Sequence, residues 1–130
     1  MRKAFILIFL LLGASISLMA QDSKRVTAKE FYALIQQHPD ALIVDVRPAG
    51  MFAKYRLQNA MPAPEKADLI ELTKVVPKSD TIFLYCEKDI RTRPAAEILQ
   101  GLGYTNIIEL KGGLVSWRRY ELPLDEEKLK

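Results

Sequence analysis

TIFLYCEKDIRTRPAAEILQGLG, residues 81–103, sets a strand pattern directly against a helical one. Residues 81–86 form a short apolar run that reads as a buried strand. Residues Thr92 to Leu102 read as a helix, with Pro94 in the first turn and Gly103 as the stop. Between them lies a short charged loop, and Cys86, the single cysteine of the chain, stands where strand meets loop.

The same alternation continues on both sides. Upstream, T27-A-K-E30 has the form of a capping box, followed by Phe31, Leu34 and Ile35 at helical spacing; His38-Pro39-Asp40 closes that helix. Residues 41–46, ALIVDV, predict a strand covered on both faces. The prolines and glycine of 48–64 mark irregular chain, with room for one helical turn in MFAKY. Pro64 is positioned to open a helix over Glu65–Val76 that Pro77 ends. Downstream, NIIEL (106–110) predicts another strand. Gly112-Gly113 then leads into an amphipathic segment whose Leu114, Trp117 and Tyr120 are assigned to the core. Strands alternating with helices predict a parallel sheet with helices on both faces, and in such sheets function gathers beyond the carboxyl ends of the strands. Cys86 occupies that position.

With 130 residues the chain has room for one domain and a targeting segment. Arg2 and Lys3 precede an uncharged stretch, Ala4–Ala14, and a smaller-residue tail ending at Ala20. This is the layout of a secretory signal peptide, expected over residues 1–20, with a single domain over 21–130 and its core at about 25–124. An uncleaved anchor is the rival, though 17 residues with two serines sit at the short edge of a span. Removing the leader takes away Arg2 and Lys3 and leaves 17 basic against 16 acidic residues. That near-neutral balance supports neither nucleic-acid nor membrane-surface binding. A periplasmic or secreted location follows as the expectation. One cysteine cannot close an internal disulfide, and one Cys with one His is too few ligands for structural zinc.

A thiol becomes a strong nucleophile on losing its proton, which helix N-termini and nearby cations favour. Cys86 stands before a helix whose first-turn N–H groups lack intrahelical partners. If residues 87–91 curl into a cradle, their amides can hold an anion, with Arg91 or Arg93 adding a formal charge. The alternative is an inert cysteine at a buried strand end. His38, in a polar turn before a proline, is read as solvated, and the tail DEEKLK as a frayed end.

From Arg25 to about Leu124 the chain resembles a single rhodanese domain. LIVDVRPAGMFAKYRLQNAMP is similar to the first motif of that family through Asp45, Val46, Arg47, Phe52 and Ala60. It departs from the motif at Met51, at Tyr55-Arg56-Leu57, at Asn59 and at Pro62-Ala63. The second motif, L-x-G-G-x-x-x-W with a following proline, stands as Leu110, Gly112, Gly113, Trp117 and Pro123. Between them YCEKDIRT resembles the active-site loop C-x-x-G-x-R-S. Cys86 and Arg91 match, Thr92 replaces serine, and Asp89 replaces glycine.

The resemblance implies a five-stranded parallel sheet and sulfur transfer through a persulfide on Cys86, from a small-molecule sulfur donor to a thiol or other thiophilic acceptor, possible acceptors including a protein. No cofactor or metal is required. It assigns donor binding to Glu87, Lys88, Asp89, Ile90 and Arg91, with Asp45, Arg47 and Thr92 in support. Asp45 and Arg47 are expected to form a structural pair or to anchor the loop. Tyr55 and Arg56 are placed near the pocket by the same comparison. Phosphatases related to this fold resemble C-x5-R, whereas Arg91 gives C-x4-R, which favours sulfur transfer. Asp89 tolerates φ > 0 better than most residues, but its charge beside Glu87 is expected to repel an anionic donor. A catalytically weak or inactive binding module is therefore the second hypothesis.

Overall fold

The computed structural model describes residues 23–127, so the expected leader over 1–20 lies outside the described residues. In chain order the elements are β1 (Lys24–Val26), α1 (Ala28–Gln37), β2 (Leu42–Asp45), α2 (Ala49–Lys54), β3 (Tyr55–Arg56) and β4 (Met61–Pro62). Then follow α3 (Lys66–Thr73), β5 (Thr81–Tyr85), α4 (Thr92–Gly101), β6 (Asn106–Leu110), α5 (Gly113–Arg119) and β7 (Asp125–Glu126). Five strands form one sheet in the order β1-β6-β5-β2-β4, and every pairing in it is parallel. β3 and β7 make a separate antiparallel pair.

The central strand β5 shows how the period of two divides the core. Ile82 and Leu84 pack on one face with Val44, Leu69, Ala96 and Leu99, under α3 and α4. Phe83 and Tyr85 pack on the other with Phe31, Leu114 and Trp117, under α1 and α5. Burying each such large side chain stabilises the fold by about 1.5–3 kcal/mol. Trp117 meets Phe31 and Tyr32 edge-on, with centroids at 6.3 and 5.6 Å, and donates from Nε1 to Pro123 O at 3.0 Å. The indole is thereby both packed and hydrogen-bonded, as a buried Trp requires.

Helix α1 begins as expected. Thr27 Oγ1 accepts from Glu30 N, and Glu30 Oε2 accepts from Thr27 N, each at 3.3 Å. Helix α3 is shorter than Glu65–Val76 and is not opened by Pro64. It starts after Glu65, whose backbone N–H donates to Asp68 at 3.0 Å, so a reciprocal acidic cap sets the first turn. It ends at Thr73, because Lys74 to Val76 turn ahead of Pro77, which disfavours helix in the preceding residue.

Two further expectations are corrected. Tyr120 is 47 % exposed, lying just beyond the end of α5 with Lys29 Nζ 4.7 Å above its ring. The start of the DEEKLK tail is not frayed, because Asp125 and Glu126 pair with Arg56 and Tyr55. Strand β1 has no counterpart among the strands read from hydrophobic pattern. It lies at the sheet edge, with Arg25 opposite Glu109. At the other edge β4 contains Pro62, which cannot donate to a ladder and is tolerated there. His38 is exposed, and its Nδ1 lies 2.9 Å from Leu34 O at the end of α1.

Candidate active site

The carboxyl ends of β2 and β5 lie side by side, with Asp45 in register with Tyr85. Val46 N continues the ladder by donating to Tyr85 O at 3.1 Å. Chain leaving β5 therefore reaches Cys86 at the sheet's upper edge, beside the loop that leaves β2. Cys86 is 2 % exposed, and its Sγ accepts a hydrogen bond from Asp89 N at 3.1 Å. The residue supplying that amide has φ +82°, in the left-handed region that aspartate tolerates better than most residues.

The loop is clamped from below by the double glycine. Leu114 N donates to Cys86 O at 2.9 Å, and Val115 N donates to Glu87 O at 3.2 Å. These contacts require the chain at 113 to lie against the loop backbone. Gly113 has φ +60°, and a Cβ there would stand 2.6 Å from Cys86 O and closer still to Glu87 O. The Gly-Gly motif thus acts on the loop through shape.

Arg47 fixes the loop from the side. Its Nε donates to both Asp45 oxygens at 3.0 and 3.1 Å, and its Nη2 to Asp45 Oδ2 at 2.7 Å. The same Nη2 donates to Tyr55 O at 2.5 Å, while Nη1 reaches Glu87 Oε2 at 3.2 Å. Its guanidinium also lies over Tyr55, 4.9 Å from the ring centroid. Both Asp45 and Arg47 are buried. Burial works to lower the Arg47 pKa, but hydrogen bonds and charge from Asp45 outweigh it and leave the value raised. Sequence pairing of Asp45 with Arg47 is thus realised, and the pair extends to Glu87. Tyr55 OH donates to Glu87 at 3.3 Å, and Arg118 of α5 forms an ion pair with the same carboxylate. Tyr85, behind the pair, accepts from Leu57 N at 3.1 Å; burial, then Asp45, pushes its phenol upward.

The two loop carboxylates are consequently not free at the mouth. Glu87 is shared by Arg47 and Arg118, and Asp89 forms an ion pair with Arg25 of β1. Both carboxylates expected to repel an anionic donor are thus paired with guanidinium groups. A cleft of about 260 Å³ opens on Cys86, bordered by Arg47, Pro48, Met51, Glu87, Lys88, Ile90 and Arg91. Asp89 does not border it. Ile90 is 76 % exposed at the rim. Arg91 turns toward α3, donating from Nη2 to Pro64 O at 2.6 Å. Arg93 is directed to Glu109 and Ser23 and adds no charge to the cleft. Thr92 is buried, and among the described residues its Oγ1 has no hydrogen-bond partner. Arg56 folds back on Phe52, so only Tyr55 of that pair approaches the loop. Sequence reasoning missed Arg118, Pro48 and the role of Arg25; only the basic end of α5 hinted at the first.

A parallel α/β sheet that presents one cysteine on a C-x4-R loop, clamped by a Gly-Gly turn, defines the rhodanese-like class. The chain belongs to the rhodanese-like domain family, which matches residues 27–120. It is 34 % identical over 103 residues to adenylyltransferase and sulfurtransferase UBA4 of Candida albicans, covering 74 % of this chain and 24 % of that protein. Thiosulfate sulfurtransferase GlpE of Haemophilus influenzae is 26 % identical over 102 residues, 78 % of this chain and 94 % of that one. The crystal structure of the Alr3790 protein from Anabaena sp. superposes with a TM-score of 0.70 at 25 % identity, covering 78 % of this chain and 81 % of the other.

Proposed function

We propose that this protein is an exported sulfurtransferase that carries sulfane sulfur as a persulfide on Cys86. The observation that carries the reading is a thiol at the floor of a cleft with a backbone N–H at 3.1 Å from its sulfur. The Cys86 thiolate attacks the donor's outer sulfur. The bond from that sulfur to the rest of the donor breaks, its electron pair leaves with the departing group, and Cys–S–S⁻ remains. An acceptor nucleophile such as cyanide or a thiolate then attacks the outer sulfur and returns the Cys86 thiolate. The intermediate needs no second thiol, consistent with a chain that has one cysteine. Amide and guanidinium groups around the cleft suit the negative charge that appears on the outer sulfur. Export through residues 1–20 to the periplasm or exterior belongs to the same proposal and rests on the leader pattern.

The test is intact mass of the purified protein after exposure to thiosulfate, then to cyanide. One added sulfur atom, lost with cyanide, is expected. An unchanged mass with every sulfane donor tried would favour the binding-module reading, to which the burial of Cys86 also lends support.

Arg91 provides a second test. Its exposed side chain makes one hydrogen bond to Pro64 O, so Arg91→Ala is expected to cost at most about 1 kcal/mol of stability. KM for thiosulfate is expected to rise about tenfold to a hundredfold, since a charge-assisted contact to the donor contributes about 1.5–3 kcal/mol. Steady-state kinetics beside a thermal melt check both. An unchanged KM would reduce Arg91 to a tie between the loop and the chain before α3.

A further inference from the structure

We propose that Arg25 of the edge strand β1 and Asp89 of the loop form a positioning pair that fixes the amide presented to Cys86. The proposal rests on Cys86 as the reactive thiol. Three observations converge on it. Asp89 N is the donor to Cys86 Sγ, at 3.1 Å. The same residue holds φ +82° without being glycine, a conformation that needs support from its surroundings. Its carboxylate is engaged by Arg25, and among the described residues its Oδ1 has no hydrogen-bond partner.

Arg25 is itself held in place. It lies in register opposite Glu109, which is fully buried on β6, and Lys111 N donates to Val26 O at 2.8 Å beyond it. The edge strand thus carries a guanidinium to the one loop residue whose backbone is left-handed and whose amide meets the sulfur. Glycine in that position would adopt the conformation unaided. Aspartate adopts it with a side chain that can be gripped, which couples the geometry around the thiol to the seating of β1. Arg25 and Asp89 are positioning residues, acting on the sulfur through the backbone of position 89.

The test is the rate constant for alkylation of Cys86 by iodoacetamide at one fixed pH. This uncharged probe requires no sulfur transfer, so its outcome is separate from that of the persulfide experiment. The set is wild type, Arg25→Ala, Asp89→Gly and the double variant, with amide exchange at position 89 followed alongside. Arg25→Ala is expected to slow alkylation several-fold to about tenfold, the coupling typical of contacting residues, and to speed exchange of the residue 89 amide. In the Asp89→Gly background the same substitution is expected to change neither rate, because no side chain remains to be gripped. Arg25→Lys should recover part of the loss. Equal slowing in both backgrounds would assign the effect to the charge of Arg25 or to loss of β1. No slowing in either background would remove Arg25 from the site. Either result overturns the proposal.

Discussion

Cys86→Ser is expected to leave no sulfur uptake and to reduce turnover by at least about a thousandfold, to the uncatalysed background. The loss is chemical and not structural. A hydroxyl oxygen fits the space of the sulfur and can accept the same hydrogen bond from Asp89 N, which now lies at 3.1 Å from Sγ. It cannot form the S–S bond that stores the transferred atom. Stability is expected to fall by less than about 1.5 kcal/mol, since the site keeps its volume and its hydrogen bond. Two measurements decide the matter: thiocyanate formation from thiosulfate and cyanide, and a denaturant titration of both proteins. Equal turnover in the two proteins would end the persulfide mechanism, whatever the fold similarity.

Gly113→Ala is expected to have the largest effect on the fold. The added methyl would meet loop backbone at 2.6 Å from Cys86 O, and φ there is +60°. Left-handed conformation costs a non-glycine residue about 1–2 kcal/mol, and overpacking against backbone that cannot rotate away adds about 1–3. A total loss near 3–4 kcal/mol is a large part of the stability of a small domain. The first contacts to break are Leu114 N to Cys86 O and Val115 N to Glu87 O, so the loop should loosen before the sheet does. Gly50→Ala is the matched control. A Cβ at Gly50 meets nothing within 4 Å, and the residue lies in helix α2 with ordinary φ. It should be neutral or stabilise by up to about 1 kcal/mol. Comparable stabilities for the two variants would mean that the Gly113 turn is free to move.

The central part of this fold was legible because its strands are apolar runs and its helices carry caps. β2, β5 and β6 each present consecutive buried residues, and Thr27 with Glu30 announces α1. The edges were not legible from hydrophobic pattern. Lys24-Arg25-Val26 has two charged residues in three, as an exposed edge permits, and Met61-Pro62 is too short to show a period. In the site, Cys86, Arg91 and the Asp45–Arg47 pair were visible as motif positions. Their partners were not, because side-chain direction depends on tertiary placement. In the sequence Asp89 has no evident partner; Arg25, brought close by β1 pairing with β6, forms an ion pair with it. Glu87 likewise read as a loop acid until Arg47 and Arg118 converged on it. Tyr120 shows the converse failure: helical spacing predicted burial, but α5 ends at Arg119 and the ring leaves the core.

The pairing of β1 with β6 also fixes when, during synthesis, the thiol's surroundings can be completed. Ser23 and Glu109, which hydrogen-bond beside that pairing, are 86 positions apart. No ribosome can supply both until residue 109 has been added, and Gly113 follows later still. Closing so long a loop carries an entropic cost that local helix formation avoids, and contacts of this separation slow folding. Cys86 therefore emerges with its strand and helix neighbours nearby, while the residues that clamp its loop from below and grip it from the edge are still missing. A nascent chain halted before residue 110 would carry the cysteine without its finished setting.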